Sequence, residues 1–394
     1  MVQTLEQIET KVKAGVRPLG ETDVPIVADL VWRVLHERQG SAPLALRTYI
    51  DELFLRNPWV QDDIRPLVYQ DADGKIVGFF GVVPRPMSIQ GKTYRFAFGS
   101  NFVVEAGSRA SFAAMQLVNA FMKGPQDVSI TDSATEGVRQ LFTSLKFSMV
   151  PIYSLLWARP LRPSMYALNG VARLKRNRKI AAVGALASPL CHMLDALAAK
   201  VKISPFYQTA SSLNAEVLDN GTLLECVSRV PGKQWLIPQY DRASLDWVLN
   251  FVEKRNAYGT LRKILLRDDK GKIVGWYIYG LQPAGIGEVL QIGVEAASAG
   301  RVLDHLFHDA WQNKLVGLHG RMEPQFMEEF TKRSCFFLRN GSWTLAHSRT
   351  PELLVPVFSG NSFFSRLEGE GCLRFGGGAN SKTNPLRLAA NSQA

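Results

Sequence analysis

Apolar residues recur along the chain with helical spacing in some windows and strand-like alternation in others, and the order of these windows occurs twice. In the first half the spacing predicts helices over residues 24–36, 43–55, 111–123 and 135–145 and strands over 66–70, 75–83, 94–104, 127–131 and 151–158. In the second half it predicts helices over 242–253, 301–312 and 325–332, strands over 263–267, 272–279, 288–294 and 316–322, and a strand or hairpin over 336–346. This order predicts an α/β protein in which each half is a mixed, mostly antiparallel sheet flanked by helices.

Two short sequence repeats indicate a duplication. Gly-Lys-Ile-Val-Gly occurs at 74–78 and 271–275, an offset of 271 − 74 = 197 residues. Val-Glu-Ala occurs at 104–106 and 294–296, an offset of 294 − 104 = 190. A common hairpin turn could produce the first repeat by chance. Two repeats in the same order at nearly one offset favour two copies of one domain.

The predicted organisation is a domain over residues 1–161, a linker over 162–213, a domain over 214–371 and a disordered tail over 372–394. The linker holds a basic run at 173–179, followed by an apolar, Ala-rich stretch at 180–199. One interpretation is a helical linker that packs between the domains with its basic side chains in solvent. The other is an amphipathic helix in peripheral contact with a membrane, since the stretch is too short and interrupted to span one.

Composition narrows the class of protein. With 394 residues, 46% apolar and 21% charged, the chain is a folded protein of two to three domains. Its four cysteines form no Cys-x-x-Cys pair, which argues against a disulfide scaffold or a zinc site. A polar N-terminus shows no signal peptide, so we expect a cytoplasmic location. His305 and His308 have a metal-compatible spacing, but no third ligand is nearby and no metal is expected.

The net charge of +11 would attract nucleic acid, anionic lipid or phosphorylated small molecules. Much of the excess lies in the basic run and is not interleaved with aromatic residues. No helix-turn-helix, zinc-finger or RNA-recognition motif is present, so nucleic acid is the least favoured partner.

The third predicted strand of each half and the helix after it form a comparable junction. The first half reads Val104-Glu-Ala-Gly-Ser-Arg109-Ala-Ser-Phe112, and the second reads Val294-Glu-Ala-Ala-Ser-Ala299-Gly300-Arg301-Val302. With the order of elements, this resembles the GNAT acyltransferase superfamily over residues 15–160 and again over 214–350. In that family a Val-x-Pro-x-x-Arg-Gly-x-Gly pattern binds the pyrophosphate of coenzyme A through backbone amides at a helix N-terminus.

Each half keeps only part of that pattern. The first half has the arginine, Arg109, and lacks both later glycines. The second half keeps one glycine, Gly300, with Ala299 at the arginine position. The resemblance implies that Val104 and Arg109, or Val294, Ala299, Gly300 and Arg301, contact acetyl-CoA or another acyl-CoA. Phe142 and Phe330 stand in the region where many family members have a tyrosine that protonates the leaving thiolate, so this acid is missing from both halves.

Candidate bases are found in the second half. The resemblance implies that Glu288 accepts the nucleophile's proton and that His319 lies near the splayed strands where the thioester enters. Arg321 alternates onto the same face as His319 and could hold a phosphate or carboxylate. The structural alternatives are a surface charge for Glu288 and a core histidine for His319. In the first half, Asp132 could belong to a site or cap the next helix.

The resemblance thus implies transfer of an acyl group from acyl-CoA to an amine or hydroxyl, with the base in the second half. The acceptor would be a small molecule or a cell-envelope or polysaccharide precursor. One rival is aminoacyl transfer from tRNA onto a cell-wall precursor, in which the positive charge would serve RNA binding. The other is a non-catalytic GNAT-like binding protein, which the missing tyrosines and glycines favour.

Overall fold

The computed structural model describes residues 14–107, 109–174, 178–209, 211–229, 235–255, 257–339 and 341–375, without the side chains of 171–187 and 296. The strands are β1 (Gly15–Pro18), β2 (Leu67–Gln70), β3 (Ile76–Ile89), β4 (Lys92–Val104), β5 (Val128–Ala134), β6 (Ser148–Met149), β7 (Leu155–Pro160), β8 (Asn214–Val217), β9 (Leu236–Pro238), β10 (Thr260–Arg267), β11 (Ile273–Leu281), β12 (Ile286–Val294), β13 (Gly317–Arg321), β14 (Phe336–Arg339) and β15 (Trp343–Ser348). The helices are α1 (Val24–Val34), α2 (Leu44–Phe54), α3 (Ala110–Met122), α4 (Glu136–Ser144), α5 (Pro163–Leu174), α6 (Arg178–Ala198), α7 (Asn220–Arg229), α8 (Arg242–Lys254), α9 (Ala299–Gln312), α10 (Met327–Lys332) and α11 (Val355–Phe358).

The strands form two mixed sheets. The first has the order β1-β2-β3-β4-β5-β15-β6, with β9 paired to β3, and the second has the order β14-β7-β13-β12-β11-β10-β8. We call the first sheet with α1–α4 the first lobe, and the second sheet with α7–α10 the second lobe. Within the described residues, the parallel pairs are β4 with β5 and β12 with β13, and the other pairs are antiparallel. This confirms the predicted fold class.

The lobes exchange one strand each. β7, from the first half of the chain, lies between β13 and β14 of the second sheet. β15, from the second half, lies between β5 and β6 of the first sheet. The predicted strand or hairpin over 336–346 is therefore two strands in different sheets. The domain boundaries at 161 and 214 stay predictions. Each sheet contains at least one strand from the other side of these boundaries.

Each parallel pair opens partway along its length. β4 and β5 pair at 96–98 with 128–130, and both strands continue beyond this point without pairing to each other. β12 and β13 pair from Ile286 with Gly317 to Val289 with Gly320, after which β12 runs on to Val294. An extra residue bends β4 near Asn101, which has φ +50, and another bends β12 at Leu290. Such bulges bend a strand away from its neighbour, so each lobe has a gap there.

One hydrophobic core spans both lobes. Tyr49 and Phe54 of α2 and Phe79 of β3 are fully buried together with Leu245 of α8 and Trp276 of β11. The last described residues complete this core. The predicted tail begins at 372, but Cys372 and Leu373 are 3% and 2% exposed, so the buried chain extends past that position; the rest of the predicted tail, 376–394, lies outside the described residues.

Candidate functional site

In the second lobe, the gap between β12 and β13 is bridged by the chain itself. The carbonyl of Leu290 accepts hydrogen bonds from the amide of Leu367 (2.9 Å) and the hydroxyl of Ser365 (2.8 Å). Arg321 of β13 donates to the carbonyl of Ser365 at 3.1 Å. Residues 362–375, here called the inserted segment, therefore occupy the place where the pairing of β12 with β13 ends.

Both lobes hold the inserted segment. Arg85 of β3 donates from Nη1 to the carbonyls of Leu367 (2.8 Å) and Glu368 (2.7 Å). The carboxylate of Glu368 accepts from Tyr240 at 3.1 Å and from Gln291 of β12 at 2.9 Å. These partners are largely buried, so each hydrogen bond also avoids the cost of an unsatisfied polar group.

The gap in the first lobe is different. Ser100 of β4 and Asp132 of β5 flank it, at 6% and 3% exposure. Glu370 lies between them: its amide donates to Asp132 Oδ1 at 3.0 Å and its carboxyl bonds to Ser100. As far as the chain is described, no backbone group of the inserted segment bonds to the β4 backbone. The first gap thus receives a carboxyl side chain and is not closed by backbone pairing.

Burial raises the pKa of the Glu370 carboxyl to about 7, although Arg374 and Arg321 oppose the shift. Its Oε2 atom has no hydrogen-bond partner within the described structure. A carboxyl group with a pKa near the working pH is suited to accept and return a proton.

A buried ion pair joins the lobes beside Glu370. Arg321 of β13 contacts Asp132 of β5, with 2% and 0% of their side chains exposed. Burial lowers the pKa of Arg321 to about 9, which leaves it a cation at neutral pH. Arg321 is thus paired with a carboxylate of the other lobe, and its binding of a phosphate or carboxylate group at a functional site stays a prediction. Asp132 is the partner of Arg321, and the cap position of α4 is Thr135.

The N-terminus of α3 adjoins the first gap. Arg109 is its cap residue and is exposed, and within the described residues its side chain makes no ion pair or hydrogen bond. The carboxylate of nearby Glu105 is already paired with Lys75 and Arg33. The first amides of an α-helix have no acceptor within the helix and attract anions. This end of α3 could therefore receive a phosphate group.

No protein-family model matches the sequence, and no curated protein is a significant match to it. Solved structures do match across both lobes. A probable N-acyltransferase from Enterococcus faecalis V583 has a TM-score of 0.53 at 11% identity, over 86% of this chain and 72% of that one. A GCN5-related N-acetyltransferase from Anabaena variabilis ATCC 29413 has a TM-score of 0.54 at 10% identity, over 85% and 73%. Another from Kribbella flavida has a TM-score of 0.50 at 11% identity, over 87% and 72%.

The chain has the GNAT fold, in two lobes. At these identities the similarity establishes the fold, and the activity must be argued from the residues themselves.

In the second GNAT lobe, the two predicted catalytic residues are neighbours. Glu288 and His319 are register partners on β12 and β13. Glu288 forms an ion pair with Arg366 of the inserted segment at 2.5 Å, with 14% and 11% of their side chains exposed. Glu288 therefore carries a structural role in this conformation, and its role as a base stays a prediction.

The predicted phosphate-binding residues of the second lobe lie at the start of α9. A Cβ atom on Gly300 would meet Arg333 Nη2 and Glu329 Oε2, each at 2.7 Å. Arg333 is bound in turn to Asp304 at 2.7 Å. Ala299 is buried, while Arg301 donates to Ser298 at 2.9 Å. Gly300 therefore permits packing of α9 against α10. In the first lobe, Val104 packs against the hydrophobic cluster that contains Leu117. In the second lobe, Val294 packs against the cluster that contains Val302.

Phe142 and Phe330, which stand in the region where many proteins of the resembled superfamily have a tyrosine, are core residues. Phe142 is 1% exposed, with its ring 5.9 Å from that of Phe102, and Phe330 stacks on Trp157 at 4.6 Å. The two histidines on α9 have other partners: His305 Nδ1 is 3.0 Å from the Tyr277 hydroxyl, and His308 is 2.9 Å from Gln312. Among the described residues, no group of three or more His, Cys, Asp or Glu side chains could hold a metal ion.

Glu370, Arg366 and Arg85 are site residues that sequence reasoning missed. The stretch from Arg366 to Glu370 reads Arg-Leu-Glu-Gly-Glu, which is typical of a solvated segment. Nothing in its pattern indicates burial, because its charges are neutralised by residues far away along the chain. Arg85 offered a weak signal, since it is a charge within a long apolar strand.

Proposed function

We propose that this protein is an acyltransferase that uses an acyl-CoA thioester, bound in the gap between β4 and β5 of the first lobe. This proposal rests on one observation: the equivalent gap in the second lobe is bridged by the inserted segment, through Leu367 and Ser365. The first gap lacks such a bridge among the described residues and lies beside the open N-terminus of α3 with Arg109. The donor to test first is acetyl-CoA, followed by longer acyl chains.

In the proposed reaction, an amine or hydroxyl attacks the thioester carbonyl. A C–N or C–O bond forms, the C–S bond breaks, and coenzyme A leaves as a thiolate. Glu370 accepts the proton of the nucleophile, because its raised pKa lets it act near neutral pH. A thiol has a pKa of about 8.5, so the thiolate leaves with less assistance than an alkoxide and a tyrosine at position 142 is dispensable.

The alternative base is Glu288, with the thioester in the second lobe. That arrangement requires Arg366 to release Glu288 and the inserted segment to leave the Leu290 carbonyl. Several buried hydrogen bonds would be lost, each worth about 1 kcal/mol. This cost favours the first lobe.

Calorimetric titration of acetyl-CoA into wild type, Arg109→Ala and Arg301→Ala tests the choice of lobe. The two arginines form a matched pair, since each is exposed at the start of the helix that follows the third strand of its lobe. We expect Arg109→Ala to weaken binding about tenfold, the value of one charge-assisted hydrogen bond, and Arg301→Ala to bind like wild type.

Loss confined to Arg301→Ala would move the thioester to the second lobe and restore Glu288 as the base. Absence of binding for every acyl-CoA would overturn the proposal in favour of the tRNA-dependent or non-catalytic alternatives.

The base is tested by the release of coenzyme A from acetyl-CoA in the presence of a panel of amines, alcohols and cell-envelope precursors. Glu370→Gln should lower the rate about 10²–10⁴-fold with thioester binding unchanged. Glu288→Gln is the control, and equal loss in both variants would contradict a specific role for Glu370.

A further inference from the structure

An exposed apolar face lies on the linker between the lobes. Of the 18 large apolar residues that are exposed among the described residues, six fall within residues 190–203. They are Leu190 (56%), Met193 (56%), Leu194 (47%), Leu197 (55%), Val201 (45%) and Ile203 (94%). Leu190, Leu194, Leu197 and Val201 follow one another at intervals of four, three and four residues, and Met193 lies three residues after Leu190. They therefore form one stripe along α6 and its continuation. We call these six residues the linker face.

The opposite side of α6 fixes its orientation. Asp195 is fully buried and accepts from the amides of Ser164 (2.8 Å) and Met165 (3.1 Å) at the start of α5. Ala199, one turn later, is 4% exposed. A carboxylate at a helix N-terminus is a favourable partner for the helix dipole. The linker face of α6 is therefore directed to solvent, and Asp195 on the opposite side binds the start of α5.

The linker sequence is basic. Residues 163–213 contain seven lysines and arginines and one acidic residue, which gives 7 − 1 = +6 of the chain's net +11. The single acidic residue is Asp195, which is buried. Lys200 and Lys202 are exposed beside the apolar stripe. These two lysines favour an anionic partner for the linker face.

We propose that the linker face binds the surface of an anionic lipid bilayer. An amphipathic helix with aliphatic residues on one side and lysines and arginines nearby lies in the plane of the membrane interface, with its apolar side chains among the acyl chains. Within the described ranges, no helix has the length and apolarity needed to cross a bilayer, so a surface contact is the form that this face supports. Protein–protein interfaces are enriched in aromatic residues, and the linker face has none. This inference is independent of the site of acyl transfer.

Co-sedimentation of the full chain with vesicles tests the inference. The vesicles are phosphatidylcholine alone, or phosphatidylcholine with about 30 mol% phosphatidylserine, at low and high salt. We expect binding to the anionic vesicles, weakened by salt. Each basic residue near an anionic surface contributes a factor of about five in affinity, so Lys200→Glu/Lys202→Glu should lower it by more than tenfold.

Leu194→Ser/Leu197→Ser should also abolish vesicle binding, because it removes the apolar anchor. The matched control is Leu44→Ser/Val217→Ser, which alters two residues that are 78% and 81% exposed elsewhere. Circular dichroism and an unchanged melting temperature show that each variant is folded.

Equal binding by the control and test variants would overturn the inference, as would binding to neutral and anionic vesicles alike. Self-association of the wild type that Leu194→Ser/Leu197→Ser removes, without vesicle binding, would instead assign the linker face to a second copy of the chain.

Discussion

Glu370 combines burial, a raised pKa and a position between two strands of a GNAT lobe. It lies between two glycines, and its carboxyl enters the gap beside Ser100. A buried carboxyl is destabilising in its charged form, and natural proteins keep such a group where it has a function.

The raised pKa of Glu370 predicts a pH-dependent stability. In the unfolded chain its pKa is that of an ordinary glutamate, and in the folded protein it is about 7. The folded state therefore binds the proton more tightly than the unfolded chain does. The stabilisation that Glu370 contributes is fully present below the pKa of the unfolded chain, and it is lost as the pH rises through 7. We measure the free energy of unfolding by urea denaturation at pH 5 and pH 8. Between these two values it should fall by about 1–3 kcal/mol more in wild type than in Glu370→Gln. Parallel pH profiles for both proteins would contradict the shifted pKa.

The ion pair of Asp132 with Arg321 predicts that removing one partner destabilises the protein more than replacing both. Asp132→Ala leaves a buried arginine without its carboxylate and should cost about 3–5 kcal/mol, measured by urea denaturation. Asp132→Leu/Arg321→Met replaces both charges by apolar groups and should cost less than the single variant. A double variant that is less stable than Asp132→Ala would show that the pair is strongly stabilising on its own.

Side-chain alternation predicts that His319 and Arg321 share one face of β13, because the period of a strand is local information. The register that places Glu288 beside His319 is not local in this way. The ionic partners could not be predicted in this way. Arg366 lies 366 − 288 = 78 residues from Glu288, and its neutralising contact depends on tertiary structure alone.

At the scale of elements, the inserted segment depends on a glycine. A Cβ atom on Gly369 would lie 1.9 Å from Asp132 Oδ2 and 2.7 Å from Arg321 Nη2. The segment can therefore pass the ion pair between the lobes only if this position has no side chain.

Gly369→Ala should lower the melting temperature and displace Glu370, with a loss of activity similar to that of Glu370→Gln. The control is Gly137→Ala in α4, where a Cβ atom would meet nothing within 4 Å. The control should be neutral or stabilise the protein by up to about 1 kcal/mol, since alanine favours a helix more than glycine does. Equal melting temperatures for the two variants would contradict the close packing at Gly369.

The predicted hairpins at Gly74 and Gly271 are confirmed, with φ of +80 and +77 at the two glycines. Their signal is strong because the turn needs residues that tolerate positive φ. The strand predicted over 151–158 corresponds to β7 (Leu155–Pro160), which a short 3₁₀ turn at Ile152–Ser154 precedes, and its sheet was not predicted. Alternation shows which face of a strand is buried and carries no information about its neighbour.

At the scale of the molecule, the exchange of β7 and β15 predicts that the lobes are folded together or not at all. Without β15, the first sheet loses the strand between β5 and β6, and without β7 the second loses the strand between β13 and β14. Residues 1–213 and 214–394 expressed separately should each lack a cooperative thermal transition. Co-expressed, they should copurify and unfold in one transition. Two independent transitions in the intact chain would contradict this coupling.

The exchanged strands also bear on how the protein is made. β5 ends at Ala134 and its partner β15 begins at Trp343, so 343 − 134 = 209 residues separate them. At about 5–20 residues per second, a ribosome needs about 10–40 s to make that stretch. Throughout this time β5 is an uncovered edge of a nearly finished sheet, and such edges pair readily with other chains. The nascent chain therefore exposes that edge to other chains until its own strand arrives.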